Sequence, residues 1–173
     1  QQKKYGKIDK IMIHARGCTA AKLIKKAQDN NIEVVLVQSD PDMTSVAVDM
    51  LGPQDRAVCI GGNTPDESYL NAKSVIRIAQ HEGVDALHPG IGFLSESSQF
   101  AALCGNYDIN FVGPSVSAME TMGNKSNAIN TAMAANVPVV PGSHGILTSS
   151  ANTASVAQEI GYPVLLKAVH GGG

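Results

Sequence analysis

A histidine, a proline and two glycines follow an apolar run near the middle of the chain, in the order Leu87-His88-Pro89-Gly90-Ile91-Gly92. Glycines at alternate positions let a backbone turn sharply or come close to a ligand. Pro89 fixes one dihedral and holds His88 toward extended geometry. Ser95 is read as the cap of a following helix. Glu96 then sits in its first turn, where a negative charge suits the helix dipole. Loops of this kind, at the carboxyl ends of parallel strands, are where open α/β sheets keep their sites. The same residues also read as an ordinary strand-to-helix connection with two turn glycines.

A second candidate lies toward the other end. Lys167 interrupts the apolar run Pro163 to Ala168 and precedes Gly171-Gly172-Gly173. A bare ammonium is costly to bury. Beside a nucleotide it meets phosphate charge, while glycine amides wrap the phosphate oxygens. The competing reading is an edge-strand lysine that reaches solvent. Lys125, which opens a helix after Gly123-Asn124, is either a further phosphate contact or a solvated surface lysine. Cys18 lies beside Arg16 near a helix start, a setting that can lower a thiol pKa. With no base paired to it, it reads as a small buried residue. A nicotinamide site is not supported. His14-Ala15-Arg16-Gly17-Cys18-Thr19 holds one glycine where the dinucleotide fingerprint needs three. Asp40, before Pro41, is a common turn residue.

These residues need elements to position them. Lys10 to His14, Glu33 to Gln38, Ala57 to Ile60, Asp85 to Leu87 and Asn110 to Val112 read as short apolar strands. Ala20, Leu23, Ile24 and Ala27 fall on one helical face, as do Ala72, Val75, Ile76 and Ala79. The second of these helices is expected to open at Asn63-Thr64-Pro65. Shorter helices are expected over Met43 to Met50 and Gln99 to Cys104. Strands alternating with helices imply an α/β fold, a doubly wound parallel sheet with right-handed crossovers. Residues 1–9 read as a mobile tail. After Pro114 the pattern changes. Ser115 to Met122 and Lys125 to Ala135 read as helices, Val137 to Pro141 as extended, and Thr148 to Ala154 as a polar loop. A short helical face follows at Val156, Ala157 and Ile160, then a strand over Pro163 to Ala168. The expected division is 1–113, a helical linker 114–138, and the start of a second domain at 139–173.

The chain has 173 residues, 43% hydrophobic and 16% charged, a globular composition with room for a sizeable core. Its net charge of −2 leaves no basic patch for nucleic acid and no polybasic face for a membrane. No apolar run approaches the roughly 18 residues of a membrane span. The polar start Gln1-Gln2-Lys3-Lys4 does not read as a signal peptide. Cys18, Cys59 and Cys104 are odd in number and widely spaced, which points to a reducing compartment rather than to disulfides or zinc. The missing initiator Met and the terminal glycine run suggest a piece of a longer polypeptide.

Taken together, the stretches resemble one family, the biotin carboxylases. The likeness runs from Lys10 to Gly173. It is carried by K-I-M-I-H-A-R-G from Lys10, A-V-C-I-G from Ala57, Ser68 to Asn71, and D-A-L-H-P-G-I-G-F-L-S-E from Asp85. It continues through F-V-G-P-S from Phe111, M-G-N-K from Met122, V-P-V-V-P-G from Val137 and I-G-Y-P-V-L-L-K-A from Ile160. The resemblance implies a Rossmann-like pre-ATP-grasp domain that binds no dinucleotide, a helical linker, and the start of an ATP-grasp lid. In that family the lysines matching Lys125 and Lys167 contact ATP, and the loop matching Gly171, Gly172 and Gly173 closes over its phosphates. The stretch matching His88, Gly90, Ile91 and Gly92 borders the biotin pocket. The implied activity is carboxylation of carrier-bound biotin, from MgATP (or the Mn2+ complex) and bicarbonate, through carboxyphosphate.

The implied partners are a biotin carboxyl carrier protein or domain, a carboxyltransferase, and a second copy in a homodimer. The implied location is the cytoplasm, or the mitochondrial matrix in a eukaryote. Metal ligands, bicarbonate-binding residues and the catalytic base lie, in the family, beyond the point matching Gly173. The family usually has Glu, Tyr and Asp where this chain has Cys18, Ile91 and Asn124. Acetyl-CoA, propionyl-CoA, pyruvate and urea all remain open as final acceptors. The alternatives are another ATP-grasp ligase, such as the large subunit of carbamoyl-phosphate synthase, and a non-catalytic α/β module that binds a ligand or partner.

Overall fold

A computed structural model describes residues 6–143 and 145–167. Gly171, Gly172 and Gly173, together with Ala168 and the first five residues of the expected tail, lie outside the described residues. The chain packs as two compact units, one running to Met119 and one from Glu120.

The first unit alternates strand and helix: β1 (Lys10–Ile13), α1 (Gly17–Gln28), β2 (Glu33–Gln38), α2 (Val46–Asp49), β3 (Arg56–Cys59), α3 (Ala72–His81), β4 (Ala86–His88), α4 (Ser98–Asn106) and β5 (Asn110–Phe111). The strands form one parallel sheet in the order β3-β2-β1-β4-β5. The alternation of β2 explains how the sheet is filled on both sides. Val35 and Val37 join Met12, Leu87 and the inward faces of α3 and α4. Val34 and Leu36 join Ile13, Ala47 and the inward face of α1. All four β2 residues are fully buried, and each such side chain contributes roughly 1.5–3 kcal/mol relative to exposure. The two helical faces read from spacing are the ones buried: Ala20, Ile24 and Ala27 in α1, and Val75, Ile76 and Ala79 in α3.

Several local expectations are corrected. Ser95 does not cap α4. Its amide closes a turn onto the Gly92 carbonyl (2.8 Å), which uses up two residues, and Ser97 becomes the cap, accepting from the Phe100 amide at 3.1 Å. Glu96 therefore stands before the helix rather than in its first turn. The helix expected from Asn63 begins at Ala72, capped by Asn71; residues 65–70 form turns instead, because the Asn63 and Thr64 amides are drawn to the Glu67 carboxylate. The stretch from Met43 to Met50 is divided between a 3-10 turn over Asp40–Thr44 and α2. Cys18 is exposed, not buried, because α1 turns that position outward. The last residue of the expected tail is tied to the sheet, since the Asp9 amide, like that of Lys10, donates to Asp85 Oδ2 at 2.9 Å.

The second unit carries the last turn of α5 (Val116–Gly123), α6 (Lys125–Ala134) and α7 (Ser150–Ile160). The expected loop over Thr148 to Ala154 is mostly helix: Ser149 caps α7 by accepting from the Asn152 amide at 3.2 Å, and the small residues that follow tolerate helical backbone. The strand expected from Pro163 is absent among the described residues. Val164 to Lys167 pair with no strand there, and Leu165, Leu166 and Lys167 are exposed. An apolar run becomes a strand only beside a partner that takes its backbone hydrogen bonds.

Candidate functional site

The order of the strands reverses between β1 and β4, so the loops that leave these two neighbours diverge and open a crevice at their carboxyl ends. The His14 amide donates to the His88 carbonyl at 2.9 Å and extends the pairing to the mouth of that crevice. Gly90 then crosses directly over the end of β1. A Cβ at Gly90 would lie 2.6 Å from the Ala15 Cβ, and its φ of +65° is one that side chains rarely adopt. Gly92 has φ +79° with open space around it. Ile91, between them, is 80% exposed. The loop thus presents one apolar side chain on a backbone that only glycines could trace.

His88 takes another direction. Its Nδ1 accepts from the Gly90 amide at 3.1 Å, so the neutral ring carries its proton on Nε2. Burial lowers its pKa. The ring lines an apolar groove of about 140 Å³ with Ile11, Ile13, Leu23, Ala27 and Ile32. Of the four residues expected at this loop, Gly90, Ile91 and Gly92 form its tip, while His88 braces its base.

Beneath the loop lies a cluster to which the sequence reading assigned no role. Tyr69, 1% exposed, donates its hydroxyl proton to Asp42 Oδ2 at 2.7 Å and accepts from the Ser39 amide at 3.0 Å. Asp42 also accepts from Ser39 Oγ (2.8 Å) and from Arg16, through Nε at 2.9 Å and Nη2 at 3.1 Å. The Arg16 guanidinium lies 5.6 Å from the centre of the Tyr69 ring. Phe93 stacks on that ring at 4.6 Å and 15°. Burial opposes ionisation of Asp42, yet the hydroxyls of Tyr69 and Ser39 and the Arg16 charge hold its carboxyl below the usual range. Burial, with Asp42 beside it, pushes the Tyr69 phenol up to about 12. His14, fully buried, has Nε2 at 2.9 Å from the Tyr69 carbonyl, and burial lowers its pKa to about 4. Its Nδ1 has no hydrogen-bond partner.

The second unit carries the other candidates. Lys125 is the first residue of α6, behind Asn124, whose Oδ1 accepts from the Asn127 amide at 3.1 Å. Lys125 and Lys167 are both exposed. Among the described residues no group of three or more His, Cys, Asp or Glu stands together as a metal site, and no helix is long and apolar enough to cross a membrane.

The family model for the biotin carboxylase N-terminal domain matches residues 7–119, and that for the ATP-binding domain of the carbamoyl-phosphate synthase L chain matches residues 124–173. The chain belongs to the biotin carboxylase family. Biotin carboxylase 1 of Bacillus subtilis is 43% identical over 166 residues, which is 96% of this chain and 36% of that protein. The mitochondrial propionyl-CoA carboxylase alpha chain of Rattus norvegicus is 40% identical, over 95% of this chain and 22% of its own length. Among solved structures, the biotin carboxylase–beta-gamma-ATP complex from Campylobacter jejuni superposes with a TM-score of 0.88 at 39% identity, covering 96% of this chain and 37% of that one. The biotin carboxylase domain dimer of the Hydrogenobacter thermophilus 2-oxoglutarate carboxylase, with MgADP, ADP and bicarbonate, gives 0.87 at 38% identity, over 98% and 36%. The chain therefore spans about a third of the biotin carboxylases it matches. Its relatives include bacterial, chloroplastic and mitochondrial proteins.

Proposed function

We propose that this chain is the amino-terminal part of a biotin carboxylase, which carboxylates biotin on a carrier protein or domain using MgATP and bicarbonate through carboxyphosphate. The observation that carries this reading is the match of the biotin carboxylase N-terminal model across residues 7–119, continued by an ATP-binding model from residue 124. The carbamoyl-phosphate synthase name on the second match favours that ligase for 50 residues only; the first match and the carboxylase relatives favour biotin for the chain as a whole. The proposed limits are 1–113 for the N-terminal domain, 114–138 for the linker, and 139–173 for the start of the lid.

ATP, when bound, supplies the phosphoryl group that activates bicarbonate. Lys125 and Lys167 fit one side of such a site: both are cationic, exposed, and within the ATP-binding match. Their ammoniums would hold phosphate oxygens through charge-assisted hydrogen bonds, with the amides of Gly171, Gly172 and Gly173 closing over them. The described residues provide no ligand set for magnesium. Gly90, Ile91 and Gly92 would form one wall of the biotin site, the isoleucine excluding water where the family usually has tyrosine. A carboxyltransferase would take the carboxyl group onward, and the enzyme would work as a homodimer. The location proposed is the cytoplasm, or the matrix in a eukaryote.

The test is Lys167→Met in the complete protein. Loss of one charge-assisted phosphate contact weakens ATP binding by about 1.5–3 kcal/mol. Biotin-dependent ATP cleavage should fall accordingly, and wild-type steady-state kinetics in that variant would remove Lys167 from the site.

A further inference from the structure

We infer that Tyr69 and Asp42 are positioning residues that set the height and tilt of the 90–93 loop, and through it the side chain of Ile91; this rests on the reading of that loop as the biotin wall. Nothing in Ile91 itself fixes the loop. It is 80% exposed, and both flanking glycines lie in the left-handed region, which glycine enters and leaves freely. The next residue is different. Phe93 has φ +44°, a conformation that a bulky side chain keeps only where its surroundings impose it. Two rings meet it from below: Tyr69, stacked on Phe93 at 4.6 Å, and His14, edge-on at 6.0 Å, and of the two only Tyr69 lies face to face with it.

The ring of Tyr69 is held in turn. Its hydroxyl both donates to Asp42 and accepts from the Ser39 amide, which fixes the ring along its long axis. A buried phenol needs only one partner to avoid a desolvation cost. Here it is tied to a carboxylate that is itself fixed by the Ser39 hydroxyl and by two nitrogens of Arg16. Arg16 follows β1 and Ser39 follows β2, so the ends of these two adjacent strands are coupled through Asp42 and Tyr69 to the loop that follows β4. The arrangement sets the position of a residue to which none of these groups is hydrogen-bonded, and it leaves the Ile91 side chain open to a ligand.

Two measurements on the complete protein test this, with Tyr69→Phe and Asp42→Asn. Tyr69→Phe keeps the ring stack and removes only the hydroxyl. The first measurement is hydrogen exchange at Ser95 and Ser97, whose amides close the loop onto the Gly92 and Leu94 carbonyls at 2.8 and 3.1 Å. Both variants should raise it about tenfold, as expected for one lost bond to a charged group, while the amides of Val34 to Val37 keep their rates. The second is steady-state ATP cleavage with free biotin: the KM for biotin rises severalfold and that for ATP stays unchanged. Unchanged loop exchange, equal acceleration in loop and β2, or parallel shifts of both KM values would each overturn the proposal. If the wild-type protein shows no biotin-dependent cleavage, the assignment of function fails, and the exchange measurement still decides whether Tyr69 and Asp42 hold the loop.

Discussion

His14 shows how one residue can set the acid stability of the fold. Its pKa falls to about 4 in the folded state because burial penalises the charged ring, against about 6.5 when unfolded. The unfolded chain therefore binds more protons between these values, and stability falls as pH drops through that window. The slope approaches about 1.4 kcal/mol per pH unit and totals about 3 kcal/mol. Above pH 6.5 the contribution is fully present. His88, half-buried, acts in the same direction. Urea unfolding at pH 7 and pH 4.5 should thus differ markedly in midpoint, and His14→Leu should reduce the difference while leaving the part due to His88. An unchanged pH dependence in that variant would show that His14 is not the group responsible. The loop residues Gly90, Ile91 and Gly92 were legible in the sequence because their spacing is local. The cluster of Arg16, Asp42 and Tyr69 was not. Its members lie on three connections far apart in the chain, and only the order of the strands brings them together.

Elements were read well where one face is buried and poorly where an end is decided by a single hydrogen bond. The alternation in β2 and the stripes on α1 and α3 are driven by burial of large apolar areas, which composition and period reveal. The start of α4 depends instead on whether Ser95 or Ser97 receives an amide, and the Gly92 turn decides it. Removing the cap with Ser97→Ala should cost about 1 kcal/mol. Ser95→Ala, which keeps the backbone turn, should cost much less. Thermal unfolding of the two variants side by side checks the assignment, and the reverse ranking would refute it. The strand expected near Lys167 fails for a comparable reason: its apolar residues specify burial, but the described residues offer them no neighbouring strand.

At the scale of the molecule, parallel pairing was expected from the alternation of elements, but the order of the strands was not readable. That order places β1 at the centre, and the placement has a kinetic consequence. Ile13 faces Leu36 on one side and His88 on the other, and the second partner is more than three times as far along the chain. Closing the longer loop costs about 1 kcal/mol more in chain entropy, from about 0.6 kcal/mol per doubling. The β1–β2 pair should therefore form early, and the β1–β4 pair, which creates the crevice, should form after the barrier is crossed. Truncations report this directly. Leu36→Ala should mainly slow refolding, whereas Leu87→Ala should mainly speed unfolding, with a φ-value of about 0–0.3. Stopped-flow chevrons of the two variants would separate these outcomes, and a high value at Leu87 would reverse the order of events. A late-forming seam is also the first to part, so the mouth of the crevice opens in brief excursions that leave the β1–β2 pair intact. Substitutions along that seam shorten the lifetime of the folded state more than they delay its formation.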